Sequence, residues 1–381
     1  MRKIGIIILL VLCLTVLLLT GCIINTVTPE TTSGNLGNQE NTEEPVTENT
    51  EDPVTENTEE PVTKWSGLGM NVCAYFATDE EHDGWIDMLL ANGFTEIRET
   101  PVSYQDTSAL AKAKAATIRA IAKGANIIWG VSSNSYDNPD YIITAENWST
   151  FRQAILDAAQ WAQDNGVYEF QLGNEEEFHV DGDTMTVAQI ITNLKSVATE
   201  VQEIFTNGNV SYSCTHDYIS NWITAGKGDM DILASNVYFG GDGYYDDSWK
   251  TKITNLVNAF GVDGTCLTEF NLSWSSLNDY STDEAVQAKA ISEMINYIKA
   301  SGMTRAFYFL WYLPTLQMGV VKDDDTYRLL WNQALLNTGP VKFVTVPTKT
   351  TTASLPNTIA LIPNPDSTST LASGSSVKST L

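Results

Sequence analysis

Two carboxylates stand out by what precedes them. Glu175 closes the run Gln171-Leu172-Gly173-Asn174-Glu175 and is followed by Glu176 and Glu177, while Glu269 closes Cys266-Leu267-Thr268-Glu269. Each sits where a β-rich run ends and a loop begins. If the two face one another across a cleft, one carboxyl can be held protonated and the other ionised. That pair is the minimum equipment for cleaving a glycosidic bond: the first donates a proton to the leaving oxygen, and the second attacks the anomeric carbon. A carboxyl separation of about 5–5.5 Å permits a covalent intermediate and retention. A single Glu at a helix start is more commonly a partner for the helix dipole, so the surrounding elements must carry the argument. Glu176 and Glu177 crowd Glu175. A register slip of one residue is the competing assignment, and like charges there raise the pKa of the acid.

The elements that would position these residues alternate from Trp65 to Thr338. Short β-rich runs occur at Gly69–Ala74, Glu96–Glu99, Asn126–Val131, Tyr168–Leu172, Val210–Cys214, Ile232–Tyr238, Thr265–Glu269 and Arg305–Trp311. Each is followed by a segment with helical spacing, clearest at Trp148–Asp164, Val187–Phe205, Ser281–Ala300 and Tyr327–Leu336. Ser281 to Glu284 reads as a capping box, and Gly166 and Gly302 fall just past helix ends, where a left-handed residue is favoured. Eight strand-helix units of this total length predict a (β/α)₈ TIM barrel, a single catalytic domain over residues 64–345. A doubly wound sheet is the main competitor. It would place a Gly-rich turn after its first strand, whereas Gly67 and Gly69 lie before or at the start of this one. Barrel chemistry sits at the C-terminal ends of the strands, where Glu175 and Glu269 fall on strands four and seven.

With these positions in order, the sequence resembles clan A of the retaining glycoside hydrolases, the (β/α)₈ group that includes cellulases and mannanases. The resemblance covers about Gly67 to Thr338. Asn174-Glu175 matches the Asn-Glu ending strand four, which implies Glu175 as acid/base and Asn174 on the substrate 2-hydroxyl. Glu269 matches the nucleophile on strand seven. Arg98, in Phe94-Thr95-Glu96-Ile97-Arg98, matches a strand-two Arg that keeps the nucleophile ionised. Asn236 and Tyr238 match the strand-six segment, with Tyr238 donating to the nucleophile. Trp311 matches the ring beneath the cleaved sugar. The physical roles stand without the family: a neighbouring Arg favours an ionised carboxylate, and an indole face packs on pyranose C–H groups. Taken singly, Arg98 reads as a surface ion-pair partner, and Tyr238 and Trp311 read as core. Two departures weaken a family 5 assignment: Ser132-Ser133-Asn134 stands where a His would end strand three, and Asn236 replaces a His on strand six.

Other rings that could line a sugar cleft, or as readily pack under a loop, are Tyr75, Tyr136, Trp222 and Trp274, and Trp274 is included among the substrate-binding candidates. Tyr244 and Tyr245 follow the Gly240–Gly243 loop, a candidate flap; no phosphate-binding spacing comes after it. His82, His179 and His216 are too scattered for a metal site, so neither metal nor cofactor is expected, and Asp323–Asp325 is at most a weak calcium turn. His216 follows strand five, where a subsite role and no role are both open. Cys73, Cys214 and Cys266 read as buried thiols, with oxidation of one pair left open.

The termini read differently. Met1-Arg2-Lys3 precedes an aliphatic run from Ile4 to Leu19 and then Leu19-Thr20-Gly21-Cys22. The run suits a signal h-region, and its ending resembles a bacterial lipobox. That resemblance implies a signal peptide over residues 1–22, Cys22 as lipid anchor and loss of Cys13. An ordinary signal peptide or an uncleaved anchor remains open, and all three export the chain. Residues 23–63 hold ten acids and no Lys or Arg; Pro-Val-Thr-Glu-Asn-Thr-Glu occurs from Pro45 and again eight residues later from Pro53, and a third copy begins at Pro61 and runs as far as Thr63. Such a segment cannot bury a core and reads as an extended tether. Residues 346–381 read as a Ser/Thr/Pro-rich disordered tail, and Leu355-Pro-Asn-Thr-Ile lacks the Gly of a sortase signal.

Across its 381 residues the chain carries 47 acids against 21 bases, a net charge of −26. That excludes nucleic acid as the partner. The signal contributes +2, the tether −10 and the tail +1, leaving −19 on the barrel. Such a barrel suits neutral glycans and repels acidic ones. The combined reading is a monomeric, surface-tethered retaining enzyme, endo-acting on a β-linked neutral glycan such as β-glucan or β-mannan, held at the membrane only by its lipid. A carbohydrate-binding barrel without catalysis and a transglycosylase using the same pair are the alternatives.

Overall fold

The structure, a computed structural model, describes residues 67–133, 141–239, 247–272, 284–313, 319–322 and 325–337. All lie in the compact unit Pro61–Leu381; the other unit, Met1–Glu60, is outside the described residues. So are Cys22, the tether, the C-terminal tail, Trp274, Tyr136, Tyr244, Tyr245, Ser281, Asp323 and Asp324.

Eight parallel strands close into a barrel: β1 Gly67–Val72, β2 Glu96–Glu99, β3 Asn126–Ser132, β4 Glu169–Asn174, β5 Asn209–Thr215, β6 Ile232–Phe239, β7 Thr265–Leu272 and β8 Arg305–Tyr308. Closure comes from β8 pairing back to β1, from Gly67↔Arg305 to Met70↔Tyr308. A two-residue strand, Val102–Ser103, adds to the end of β3. Helices α1 Asp79–Ala91, α2 Thr107–Ala122, α3 Trp148–Asp164, α4 Val187–Ile204, α5 Ile219–Ala225, α6 Ser248–Phe260 and α7 Glu284–Ala300 follow β1 to β7 in turn. This is the (β/α)₈ TIM barrel expected from the alternation.

Strands buried on both faces read as near-continuous apolar runs. In β3, Ile127, Trp129 and Val131 join the large core under the helices, while Ile128 joins Ile232, Ala234, Cys266 and Phe307 in a separate cluster within the barrel. Phe307 fills that lumen because Gly69 opposite has no side chain: a Cβ there would lie 2.3 Å from the ring. Below this layer, Arg305 at the start of β8 meets Glu169 of β4, and Glu96 of β2 at 3.6 Å. The helices are fixed by their own ends. Thr78 with Glu81 and Thr186 with Gln189 form capping boxes at α1 and α4, and Gly166 (φ 73°) and Gly302 (φ 81°) take the expected left-handed turns.

Several bounds differ from expectation: β1 lies two residues earlier, β4 runs on to Asn174, and β7 runs on to Leu272, so Glu269 lies within its strand rather than at its end. β8 stops at Tyr308 rather than Trp311. The expected helix at Tyr327–Leu336 is reduced, its last part a single π turn at Trp331–Leu335. Tyr327 instead bridges Val321, and Arg328 N donates to Val320 O at 2.9 Å, so the backbone is engaged in a turn before any helix can start.

Candidate active site

Strict alternation would turn Asn174 and Glu269 away from the lumen, since Glu169, Gln171 and Cys266 already face inward. Pairing irregularities change this. The register shifts between Gln171 and Asn174 where β4 meets β5, and Leu267 to Glu269 is offset where β7 meets β6. Each adds a residue on one strand and re-aims the side chains beyond it. Asn174 and Glu269 thereby point into the mouth of the barrel.

Arg98, the second inward residue of β2, is fully buried and gathers them. Its Nη1 donates to Glu269 Oε1 (2.8 Å) and Asn71 Oδ1 (2.7 Å), its Nη2 to Asn174 Oδ1 (2.8 Å), and its Nε to Gln171 Oε1 (2.8 Å). Four strands are thus tied by one guanidinium, whose planar fork suits such a role. Asn71 completes the tie, donating from Nδ2 to Thr268 O at 2.8 Å. Glu269 receives a second donor, the Tyr238 hydroxyl, on Oε2. Both donors interact most strongly with an ionised carboxylate.

Glu175 lies one residue beyond β4 in the left-handed region, φ 59° and ψ 33°. Its N–H donates to Ser213 O at 2.8 Å, and its carbonyl accepts from Phe178 N at 3.0 Å. A non-glycine residue in this conformation costs on the order of 1–3 kcal/mol and is found where function demands it. Burial pushes its carboxyl up to about 8, with the charge of Glu269 next in importance and that of Glu177 adding; a hydrogen bond from Asn236 and the charge of Arg98 pull the other way. The Asn236 amide is itself oriented: its Oδ1 accepts from Ser213 Oγ (2.8 Å) and Thr268 Oγ1 (2.9 Å), which turns Nδ2 toward Asn174 Oδ1 (3.2 Å) and Glu175. The two carboxyls therefore share one site and differ in environment, one facing cationic and hydroxyl donors, the other desolvated and repelled.

Glu176 and Glu177 are fully buried and turn toward the flanking strands, whereas Glu175 is partly exposed as a residue, with its carboxyl set inward among protein atoms beside Glu269. Trp311 does not take the expected place. Its backbone still follows the barrel, Trp311 N donating to Asn71 O of β1 at 2.9 Å, but its ring is fully buried in the large core, 5.2 Å from the Trp331 ring and 6.0 Å from that of Tyr327. Phe309 stands nearer the site, edge-on to Tyr238 at 6.4 Å. Trp222 is likewise no cleft ring: it is fully buried and donates to Glu177. Among the described residues, exposed rings that follow strand ends include Tyr75 after β1 and Phe178 after Glu175, the latter edge-on to Tyr218 at 5.8 Å. Asn71, Ser213, Thr268 and Phe309 were not singled out from sequence. A polar residue within an apolar strand run, as in Gly69-Met70-Asn71-Val72, is the signal that could have found the first of them.

No protein-family model matches the chain, and no curated protein sequence matches it. Among solved structures it is similar to the exo-β-1,4-mannosidase Op5Man5 from Opitutaceae bacterium strain TAV5, at 12% identity over 69% of this chain and 57% of that one, TM-score 0.53. A family 5 xyloglucanase from Paenibacillus pabuli aligns at 15% identity over 72% of this chain and 98% of that one, TM-score 0.52. An FMN-binding β-glucuronidase from Facaelibacterium prausnitzii L2-6 aligns at 12% identity over 70% and 43%, TM-score 0.51. The chain spans about half the length of the mannosidase and the glucuronidase it matches. The likeness is one of fold: the parallel eight-stranded barrel.

Proposed function

We propose that the chain is a retaining glycoside hydrolase, exported and tethered by lipid at Cys22, that cleaves neutral β-linked glycans internally. One observation carries the reading. Arg98 holds Glu269 and Asn174 together in the barrel mouth, while burial and repulsion keep the neighbouring Glu175 protonated up to about pH 8. That is the division of labour double displacement requires. Glu269 attacks the anomeric carbon as Glu175 delivers its proton to the departing glycosidic oxygen, leaving a glycosyl ester on Glu269. Esterification removes the charge of Glu269, one of the two leading causes that raise the Glu175 carboxyl. Glu175, left ionised by that donation, is thereby held as a carboxylate and serves as the base that takes a proton from water as the water hydrolyses the ester. Asn174 keeps its Nδ2 for a sugar hydroxyl, since its Oδ1 is engaged by Arg98 and Asn236. The glycosidase names of the three structural neighbours agree with this use of the fold, and the −19 charge of the barrel region favours a neutral glycan.

The test is a panel of aryl β-glycosides, β-1,4-glucan, β-mannan, xylan and β-1,3-glucan, with products sized and the anomer of the first product read by NMR. Glu269→Gln should lose at least about a thousandfold in kcat. Release of an inverted sugar would sink the double displacement, and glycan binding without any sugar release would leave a binding barrel. Membrane fractionation of the chain and its Cys22→Ser variant checks the tether.

A further inference from the structure

We propose that Glu176 and Glu177 are positioning residues for the proton donor, a two-sided clamp that holds Glu175 in its left-handed backbone with its carboxyl turned toward Glu269. The inference rests on the glycosidase reading above.

Three successive glutamates lie at the end of β4, and the second and third are fully buried. Among the described residues neither forms an ion pair with Lys or Arg. Burying a carboxyl without a cation is costly, and an apolar side chain would fill the same space more cheaply. What the carboxyls do instead is reach to the two strands that flank β4. Glu176 turns toward β3: its Oε1 accepts from Ser132 Oγ (3.0 Å) and Ser133 N (3.2 Å), its Oε2 from Ser133 Oγ, and its Oε1 also from Asn174 N (3.1 Å), across the residue it must fix. Glu177 turns toward β5 and α5: its Oε2 accepts from Tyr212 OH at 2.8 Å and its Oε1 from Trp222 Nε1. Tyr212 links the halves, because its hydroxyl also accepts from Glu176 N at 2.9 Å.

The backbone is shaped to admit this arrangement. A Cβ on Gly173 would come within 2.9 Å of Glu176 Cγ and Oε1, so the glycine leaves the space the clamp occupies. A left-handed residue persists only where its surroundings over-determine it. Here the residue before Glu175 is pinned through Asn174 N, and the two after it are pinned on opposite sides. Burial holds both clamp carboxyls up, each to about 7, in line with a cost accepted for geometry rather than for stability.

A clamp and a plain structural support differ in what they do to proton donation. Aryl glycosides with a 2,4-dinitrophenyl leaving group depart without a proton, whereas 4-methoxyphenyl glycosides need one. Glu176→Gln and Glu177→Gln keep shape but place an amide N–H₂ among groups that are themselves donors. We expect kcat/KM on the 4-methoxyphenyl glycoside to fall by roughly 10- to 100-fold, the scale of a misplaced catalytic group, with less than about a threefold fall on the dinitrophenyl glycoside. Azide, which attacks the glycosyl ester without a base, should restore kcat on the dinitrophenyl substrate and yield the glycosyl azide. Should a Gln variant not fold, Trp222→Phe and Ser133→Ala, each removing one donor, should show the same split more weakly. Equal losses on both substrates, no loss on either, or no azide effect would overturn the clamp while leaving the glycosidase reading intact. A wild-type chain inactive on both substrates would overturn the glycosidase reading, and the clamp with it.

Discussion

Glu175 and Glu269 are chemically identical side chains, and everything that separates their roles is supplied by neighbours. Arg98 and Tyr238 face Glu269; burial and the charges of Glu269 and Glu177 act on Glu175 against Asn236 and Arg98. A donor with its carboxyl raised to about 8 is protonated below that value and ionised above it. So kcat/KM on a substrate that needs a proton should fall as pH rises through about 8. Asn236→Ala removes a hydrogen bond that lowers the Glu175 carboxyl, so the fall should move to higher pH. A pH–rate profile that stays flat to pH 10, or one in which Asn236→Ala shifts the fall downward, would contradict this assignment. At this scale the sequence pointed to Glu175, Glu269, Arg98, Asn174, Asn236 and Tyr238, and the structure brings those six together. It misplaced Trp311 and left Trp222 open between cleft and core, because a tryptophan near a strand end has the same signature whether its ring faces the mouth or the helices. It also left Glu176 and Glu177 as crowding charges, since no local pattern separates a solvated carboxyl from one met by Ser133, Tyr212 and Trp222.

At the scale of elements, alternation and turn residues sufficed for the eight strands, with β2 found over its full span and β8 overextended by three residues. The offsets in β4 and β7 were not legible, because a bulge is decided by how neighbouring strands register rather than by the residues of one strand. Yet those offsets aim Asn174 and Glu269 inward. The opposite end of the barrel was illegible for a related reason. Glu96, Glu169 and Arg305 open their strands, where a charge reads as solvent-facing, but all three are buried, and Arg305 stands between the two acids. This triad joins β2, β4 and β8 beneath the Phe307 layer. Removing its cation leaves two buried carboxyls facing each other. Arg305→Met should therefore destabilise the barrel by about 3–5 kcal/mol, measured by urea denaturation. The companion variant with Glu96→Gln and Glu169→Gln added should recover much of that loss, because the uncompensated charges go with it. A single variant as stable as wild type would show the triad to be dispensable.

Over the whole molecule, charge and buried acidity act in the same direction on stability, and salt separates them. Burial raises Glu175 to about 8 and both Glu176 and Glu177 to about 7, against an ordinary value of 4.5. Between those limits the folded chain holds more protons than the unfolded one, so folding stability falls as pH rises. These groups contribute fully below about 4.5, and their contribution is lost as pH climbs through 7 to 8. Glu81, Asp181 and Glu284 are lowered by hydrogen bonds, joined for Glu284 by the charges of Lys322 and Arg328; their contributions are lost only as pH drops below the ordinary carboxylate range. The melting temperature of the full chain should thus be highest near pH 5 and decline toward pH 9. Self-repulsion from a net charge of −26 also grows with pH, but exposed charges more than a Debye length apart, about 3 Å at 1 M, are screened, whereas buried groups are screened much less. The decline should therefore persist in 1 M NaCl and flatten in the Glu176→Gln/Glu177→Gln double variant. A decline that salt abolishes would assign it to the surface instead, and would remove the energetic signature expected of carboxyls buried for the sake of the site.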